Sequence, residues 1–382
     1  MKNIVNLGNV ATYINGYAFK PSDWAEDGTP IIRIQDLTGN SYQMNRFKGI
    51  VDSKYDVNSG DVLISWSASL GVYVWNRGNA VLNQHIFKVV FDKEEVDKDF
   101  FVFQIDNLLK RAANQAHGAT MRHLTKPVFD ALPFYLPDIK TQRLISSKLN
   151  LIVHLIEDHH EQLKKLDELI RSRFIEMFGD LINEPKYPGI DKHLEDVADI
   201  CSGITKGRKV LGLELREVPY MAVSNVKMGY IDLSTVKTIM ATENEIEQYR
   251  LFPNDILMTE GGDPDKVGRG AIIRNPPKDC IHQNHIFRVR LHKDVLLPEF
   301  FEEYLQGNSA RRYFLKAAKQ TTGIASINMK QLRALPVKIP PIKVQIQYSD
   351  FVHQVDKSKL AVQKSLDELE TLKKSLMQTY FG

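Results

Sequence analysis

Two stretches of the sequence carry basic side chains and contain no acidic residue. The first runs from Asn107 to Phe129 and the second from Gly307 to Arg333. Lysine and arginine without neighbouring carboxylates suit contact with phosphate groups, so both stretches are candidate nucleic-acid surfaces. A solvated basic face would explain either stretch alone, but its occurrence twice favours the phosphate-contacting interpretation. The candidate contacts in these stretches are Lys110, Arg111, Thr120, Arg122, His123 and Lys126, and then Arg311, Arg312, Lys316, Lys319, Thr321, Thr322, Ser326 and Lys330.

Each stretch includes a polar loop with a glycine, at residues 117–123 and 320–326. Loops of this kind enter the major groove of DNA, where arginine reads guanine and glutamine reads adenine, while hydroxyl groups also hold phosphates. Two further loops, at residues 206–209 and 261–269, combine glycine with basic side chains. They add Lys206, Arg208, Lys209, Lys266 and Arg269 to the candidate DNA contacts.

Catalytic chemistry has weaker support. His85 and His285 stand in matching contexts at the start of apolar strands, but neither has a Cys, Asp or Glu at metal-ligand spacing, so we expect structural roles. The string from Asn275 to Lys278 is similar to the Asn-Pro-Pro-aromatic motif of adenine methyltransferases. It lacks the aromatic residue that stacks on a flipped base, and we expect a turn there.

The sequence has neither the phosphate-binding pattern G-x-x-x-x-G-K-[ST] nor the nucleophile pattern G-x-S-x-G. We therefore expect no catalytic residue, no metal site and no cofactor in this chain. Two other functions remain open at this point. One is a stand-alone DNA methyltransferase or nuclease with a degenerate motif, and the other is a coiled-coil adaptor that does not read DNA.

The second half of the chain repeats the first at an offset that grows from 187 to 203 residues. The string Asn83–Val89 (NQHIFKV) returns as Gln283–Val289 (QNHIFRV), and Leu132–Pro137 (LPFYLP) returns as Leu335–Pro340 (LPVKIP). The repeating unit is as long as a domain, so the sequence predicts two homologous domains. Short β-patterned runs and shorter helical patterns in each predict an α+β domain with a mostly antiparallel sheet.

A long helix is predicted after each domain. Gln142–Phe178 and Gln345–Phe381 are each 37 residues long without glycine or proline, and Gly179 and Gly382 follow where a left-handed glycine usually ends a helix. Apolar side chains recur at alternating intervals of four and three residues, which predicts a coiled-coil seam. The seam residues are Ile145, Leu149, Ile152, Ile156, Leu163, Leu166 and Ile170 in the first helix and Val352, Val355, Val362, Leu366, Leu369 and Leu376 in the second.

These helices are longer than a domain core requires. At about 1.5 Å per residue each would be roughly 55 Å long, which suits a spacer. Two homologous halves are most simply related by a two-fold axis, so we expect an antiparallel, pseudo-two-fold pair of helices. We therefore predict domains at residues 1–141 and 180–344, with spacer helices at residues 142–179 and 345–382.

Composition points to a cytoplasmic protein. The chain has no uninterrupted apolar run of about 18 residues and no signal-peptide layout at its start. Its two cysteines, Cys201 and Cys280, form no C-x-x-C pair, so we expect neither a disulfide nor structural zinc. The net charge of +3 identifies no partner by itself.

The duplicated domain, the Leu-Pro-x-x-x-Pro strings, Gln142 and Gln345 near the helix starts, and the strings Leu166–Leu169 and Leu366–Leu369 (both LDEL) together resemble the specificity subunit of type I restriction-modification enzymes. The resemblance covers essentially the whole chain. It implies two target recognition domains, each of which reads one half of a split sequence in double-stranded DNA, and helices that set the gap between the halves. It also implies two methyltransferase subunits that carry S-adenosylmethionine, and a nuclease-translocase subunit for restriction, with ATP and Mg in partner subunits.

Overall fold

The computed structural model describes residues 3–115, 125–181, 184–187, 189–209, 212, 214–263, 267–321 and 324–382. The chain divides into two compact units. Unit 1 comprises Met1–His160 and Lys364–Gly382, and unit 2 comprises Glu161–Gln363. Each unit therefore contains one globular part and half of each long helix.

Unit 1 holds ten strands among its described residues and three helices before the first long helix. Its strands are β1 (Ile4–Asn6), β2 (Thr12–Asn15), β3 (Thr29–Ile32), β4 (Arg46–Phe47), β5 (Asp56–Val57), β6 (Val62–Ser65), β7 (Gly71–Val74), β8 (Ala80–Leu82), β9 (Ile86–Val90) and β10 (Pro133–Tyr135). Its helices are α1 (Ile34–Leu37), α2 (Lys98–Gln115) and α3 (Lys126–Asp130), and α4 (Ile139–Phe178) starts in this unit. Short 3-10 turns lie at Leu7–Asn9, Pro21–Asp23 and Ser53–Tyr55.

Unit 2 repeats this order with additions. Its strands are β11 (Gly179–Asp180), β12 (Glu184–Pro185), β13 (Ile190–His193), β14 (Ala198–Ser202), β15 (Arg216–Met221), β16 (Lys237–Ala241), β17 (Asp255–Thr259), β18 (Gly261–Gly262), β19 (Gly270–Ile273), β20 (Ile281–His282), β21 (Ile286–Leu291), β22 (Lys319–Thr321), β23 (Ile324–Ser326) and β24 (Pro336–Ile339). Its helices are α5 (Glu243–Tyr249), α6 (Pro298–Gln306), α7 (Asn308–Ala317), α8 (Met329–Arg333) and the start of α9 (Ile342–Phe381), with 3-10 turns at Leu194–Asp196 and Val223–Asn225.

The main sheet has the same topology in both units. Its strand order is β2-β9-β6-β7 in unit 1 and β14-β21-β17-β19 in unit 2, with antiparallel neighbours throughout. A second sheet, β4-β3-β8-β5 or β16-β15-β20, contains one parallel pair in each unit, β3 with β8 and β15 with β20. The predicted α+β class and the predicted domain duplication are therefore confirmed.

One central strand of each main sheet is buried along its whole length. All residues of β6 (VLIS) and β17 (DILMT) are buried. Helices α2 and α6 supply Phe100, Phe101, Phe300 and Phe301 to the cores, and each of these rings is fully buried. Aromatic side chains bury large areas, so these four rings contribute strongly to the stability of each unit.

Glycine occupies the same crossing point in both units. A Cβ atom on Gly16 would lie 2.1 Å from the carbonyl oxygen of Asn83, and one on Gly203 would lie 1.9 Å from that of His282. Only glycine allows the backbone to approach the neighbouring segment this closely. This close approach explains why glycine recurs at this point of the repeat.

The repeated glutamine ties each long helix to its domain. The Gln345 side chain, 0% exposed, accepts from the Leu297 N–H (2.9 Å) and donates to the carbonyl oxygens of Val295 (3.0 Å) and Pro340 (2.8 Å). Gln142 is equally buried and makes the matching bonds to Asp97 N–H (2.9 Å) and to the carbonyl oxygens of Pro137 (2.8 Å) and Glu95 (3.4 Å). These bonds satisfy buried backbone groups that secondary structure leaves unpaired.

The long helices pack antiparallel within each unit. In unit 1, Ile145 and Leu149 share a core with Phe381, and His159 Nε2 lies 3.0 Å from Ser365 Oγ. In unit 2, the Asp167 carboxylate lies 2.7 Å from Lys359 Nζ, and Phe174 packs on Tyr348 with ring centroids 5.5 Å apart. Residue numbers thus rise along one helix as they fall along the other, as expected for the predicted antiparallel coiled coil.

Both long helices begin three residues before the predicted start, at Ile139 and Ile342, and each has 40 residues. Gly179, just after α4, has a left-handed φ of 72°, as expected for a helix-ending glycine. All thirteen predicted seam residues are buried or half-buried. The seam pattern missed Phe174, Phe178 and Phe381, because near the domains the buried face of each helix turns toward the domain core.

Candidate nucleic-acid interface

Helix α7 of unit 2 presents an exposed basic face. Ala310 and Phe314 are buried on its inner side, whereas Arg311, Arg312 and Lys316 are exposed. Lys319 at the start of β22 and Lys330 on α8 are exposed as well. Within the described ranges, none of these five basic groups forms an ion pair. Their positive charge is therefore available to an anionic partner.

A small sheet brings two predicted loops of unit 2 together. Strand β22 pairs with β23, with Thr321 opposite Ile324, and β18 joins on the other side, with Gly261 opposite Ser326. The start of the 261–269 loop and both sides of the 320–326 loop thus lie side by side. Ser326 is half-buried, while Thr322 and Lys266 lie outside the described residues, as does the side chain of Thr321. Arg269 is half-buried, and its Nε has no hydrogen-bond partner among the described residues.

In unit 1 the described basic candidates are engaged within the protein. Lys110 Nζ lies 2.6 Å from the Asp106 carboxylate, and Lys126 Nζ lies 2.7 Å from that of Asp130. Arg111 donates to the carbonyl oxygen of Phe381 (3.1 Å), where it satisfies the last turn of α9. Thr120, Arg122 and His123 lie outside the described residues. The structure therefore gives Arg111 a capping role that the basic pattern did not predict.

The 206–209 loop contains one basic side chain that is paired within the protein and two that are exposed. Arg208 forms a two-point ion pair with Glu245 and also donates to the Met240 carbonyl oxygen (3.0 Å), so its guanidinium is already engaged. The hydrogen bonds from Arg208 lower the pKa of Glu245 to about 2. Lys206 and Lys209 remain exposed on the same loop. Of the three basic groups, only these two lysines are available to an external partner.

The two repeated histidines have different neighbours. His285 Nδ1 lies 2.6 Å from the Glu260 carboxylate, whereas the His85 ring packs on Trp66 with centroids 5.1 Å apart. Glu260, 25 residues away in sequence, is a partner that the local spacing did not indicate. Within the described residues no group of three or more His, Cys, Asp or Glu side chains could hold a metal ion.

The remaining candidates for chemistry have structural positions. The 275–278 string leads into a turn closed by a hydrogen bond from Cys280 N–H to the Pro277 carbonyl oxygen (3.1 Å), as predicted. Both cysteines are free thiols, and burial raises the pKa of Cys280 to about 12. Across the ranges that the structure describes, no helix combines the length and the apolar character needed to cross a membrane.

The sequence matches a known protein family over most of its length. The family model described as "Type I restriction modification DNA specificity domain" matches twice, at residues 2–168 and 191–371. The two matches correspond to the two copies of the repeat.

Curated relatives extend this similarity to the whole chain. The type I restriction enzyme EcoBI specificity subunit of Escherichia coli is 22% identical over an alignment 410 residues long, which covers 99% of this chain and 85% of that protein. The EcoKI specificity subunit of Escherichia coli strain K12 is 20% identical and aligns with 99% of this chain and 88% of its own length.

Solved structures share the fold. The crystal structure of a type I restriction-modification system S subunit from M. genitalium aligns with 100% of this chain and 96% of its own, with a TM-score of 0.56 and 14% identity. A chain from a structural study of complex assembly and conformational transition in a type I R-M system aligns with a TM-score of 0.58 at 15% identity, covering 99% of this chain and 97% of its own.

Proposed function

Because this chain belongs to the type I restriction-modification DNA specificity family, we propose that it is the non-catalytic subunit that selects the DNA target of a type I complex. Each domain, at residues 1–141 and 180–344, reads one half of a bipartite target. The observation that carries the proposal is the duplication of one domain, with each copy tied to the start of a 40-residue helix. Since the two domains differ in sequence, the target is asymmetric.

DNA contact in unit 2 is assigned to the exposed basic face of α7 and to the small β18-β23-β22 sheet. Arg311, Arg312 and Lys316 neutralise phosphates, and the paired loops at 261–269 and 320–326 reach base edges. Lys206, Lys209, Lys319 and Lys330 extend this surface. In unit 1 the corresponding contacts are assigned to Thr120, Arg122 and His123, which follow α2 in the sequence.

The long helices set the spacing between the two half-sites. A helix of 40 residues is about 60 Å long, and its antiparallel partner stiffens it. They also offer docking positions for two methyltransferase subunits. Seven large apolar side chains of the long helices lie outside the seam and are exposed: Leu144, Leu151, Leu169, Ile175, Ile346, Leu360 and Leu372.

The catalytic cofactors belong to the partners in this proposal. The methyltransferase subunits carry S-adenosylmethionine, and a nuclease-translocase subunit uses ATP and Mg when the complex restricts DNA. The complex works in the cytoplasm, where its DNA substrate is located.

The test is a matched insertion in both helices. Seven residues that continue the apolar pattern are inserted after His160 in α4 and after Gln363 in α9, and methylated adenines are mapped in cells that express the chain with its methyltransferase. One heptad adds about 10 Å, roughly three base pairs of DNA. We expect unchanged half-sites with a longer gap between them.

The control carries the insertion in α4 alone, which puts the two helices out of register and should abolish methylation. A contiguous recognition sequence, or an unchanged gap in the double insertion, would contradict the proposal.

A further inference from the structure

Unit 2 contains a charged cleft that none of the DNA-reading features uses. It has a volume of about 330 Å³ and lies between α6, the 228–230 turn and the parts of α4 and α9 that belong to this unit. Five carboxylates and three basic groups line it, so its lining has a net negative charge: Asp167, Glu299, Glu302, Glu303 and Asp356 face Arg171, Arg274 and Lys359. Its volume is in the range of pockets that hold small groups.

A polar group in this lining has no partner. The Tyr348 side chain is 0% exposed, and its hydroxyl has no hydrogen-bond partner among the described residues. A buried hydroxyl without a partner costs free energy, so its presence needs a reason. An incoming ammonium or guanidinium group would supply the missing donor, and the surrounding carboxylates favour a cation at this place.

Glu302 is one of the largely buried carboxylates of the cleft. Its side chain is 13% exposed, accepts from the Ile272 N–H (2.8 Å) and lies 3.7 Å from the Arg274 guanidinium. Burial raises the pKa of Glu302 to about 7. Burial disfavours the charged form of this carboxylate, and a further cation beside it would favour that form.

The rim of the cleft is apolar and exposed. Met228 and Tyr230 line the cleft, and Leu233 lines its continuation beside Lys359, with exposed fractions of 43%, 59% and 41%. Methionine and tyrosine around a charged pocket are typical of protein interfaces, where a long basic side chain enters the pocket and apolar groups pack around it. A free inorganic cation would make no use of this rim.

The positions of unit 1 that match three residues of the cleft lining are apolar. The repeat places Val102 and Phe103 where unit 2 has Glu302 and Glu303, and Ile145 where unit 2 has Tyr348. Val102, Phe103 and Ile145 belong to the apolar core of unit 1. A partner that uses the cleft is therefore bound differently by the two halves of the repeat.

We propose that this cleft receives a lysine or arginine side chain of one methyltransferase subunit, so that the two copies of that subunit are held by non-equivalent contacts. This inference rests on the proposed function, because it takes the methyltransferase as the partner. It adds that the copy docked at unit 2 depends on Tyr348 and Glu302, whereas the copy docked at unit 1 does not.

The test measures how many methyltransferase copies the full-length chain retains, by native mass spectrometry during dilution. Tyr348→Phe removes only the hydroxyl. We expect it to weaken retention of one copy roughly tenfold, in line with the loss of a hydrogen bond to a charged group, and to leave the other copy unaffected. The isolated variant should unfold at the same temperature as the parent or higher, because the hydroxyl has no hydrogen-bond partner within the described part of the chain.

Two further arms sharpen the result. Glu302→Lys places a cation of the chain itself in the cleft, so one copy of the methyltransferase should remain bound. Glu247→Lys makes the same charge change on the exposed face of α5, and both copies should remain bound. Butylguanidinium at millimolar concentration should compete with the second copy, and neutral butylurea should not.

Retention of both copies at parental affinity in Tyr348→Phe and Glu302→Lys would overturn the inference, and so would equal loss of both copies. A parent chain that captures no methyltransferase would instead refute the proposed function. A parent complex that assembles and methylates a bipartite target, with variants that behave like it, would refute only the role of the cleft.

Discussion

The two units keep the same buried glutamine anchors and differ in the state of their basic side chains. Gln142 and Gln345 make matching hydrogen bonds to three backbone groups each. In unit 1, Lys110 and Arg111 are held by internal partners. At the corresponding part of the repeat in unit 2, Arg311 and Arg312 are exposed and form no ion pair within the described residues.

This difference follows from what each kind of contact costs to change. A buried side chain that satisfies backbone groups cannot be replaced without leaving those groups unpaired, whereas an exposed side chain can be exchanged at little cost in stability. Side chains that satisfy buried backbone groups therefore stay alike in the two domains, while exposed side chains diverge. Divergent surfaces are what two domains need in order to read different half-sites.

The largest expected effect is at the repeated glutamines. Gln345→Ala and Gln142→Ala each leave a buried N–H and two carbonyl oxygens without a partner, so each should lower the free energy of unfolding by about 3 to 5 kcal/mol. Hydrogen exchange of peptides from each unit should show that the loss falls on unit 2 for Gln345→Ala and on unit 1 for Gln142→Ala.

Gln354→Ala, at an exposed position of the same helix, is the matched control and should change stability by less than about 0.5 kcal/mol. Equal loosening of both units by either glutamine variant would show that the two anchors do not act separately.

The next largest effect is a pH dependence of stability that we expect in unit 2 and not at the matching position of unit 1. His282, on β20 of unit 2, is fully buried, and burial lowers its pKa to about 4 from 6.5. Unit 1 has Leu82 at the equivalent place, paired with Ile32 as His282 is paired with Met221. As the pH falls, His282 takes up its proton at a higher pH in the unfolded chain than in the folded chain. Unit 2 should therefore lose about 3 kcal/mol from this group as the pH falls from 6.5 to 4.

Glu302 acts in the opposite direction, because its pKa is raised to about 7 and its protonation between pH 7 and 4.5 favours the folded state. The measurement is therefore the difference in unfolding free energy between the parent and His282→Leu across this range. A difference that does not vary with pH would show that His282 takes up its proton equally in both states.

The smallest effect concerns DNA binding. The double variant Arg311→Ala with Arg312→Ala should weaken DNA binding by the assembled complex about tenfold near 0.1 M salt. The slope of the logarithm of the binding constant against the logarithm of salt concentration should fall by the amount expected for about two lost phosphate contacts. Lys110→Ala in unit 1 should weaken binding less than the double variant does, since the Lys110 ammonium is held by Asp106 instead of being free to contact a phosphate. Equal losses at the two sites, measured by fluorescence anisotropy over a salt series, would remove the electrostatic distinction between the units.

Local sequence patterns predicted the long helices and the repeated domain well, because helix formation and helix termination depend on residues that are close together in the chain. The glycine- and proline-free runs indicated both long helices, and Gly179 has the left-handed φ that its position indicated. The echo of Asn83–Val89 in Gln283–Val289 correctly indicated that the domain is duplicated. These features depend on residues close together in the chain, where propensity and periodicity act.

Partners distant in sequence could not be predicted in this way. Arg208 looked like a free phosphate contact, but Glu245 holds it across 37 residues, and Glu260 reaches His285 across 25. No periodic pattern indicates such pairs, because they form only when two strands or loops are folded side by side.

The sequence alone determined that the chain contains a duplicated α+β domain, two long seam-bearing helices and two basic, acid-free segments. Only the tertiary structure decided which basic groups stay free, how the repeated glutamine anchors each helix, and that a charged cleft forms in unit 2. The physical reason is that periodicity and composition act along the chain, whereas charge neutralisation and burial depend on which groups folding brings within a few ångströms of each other.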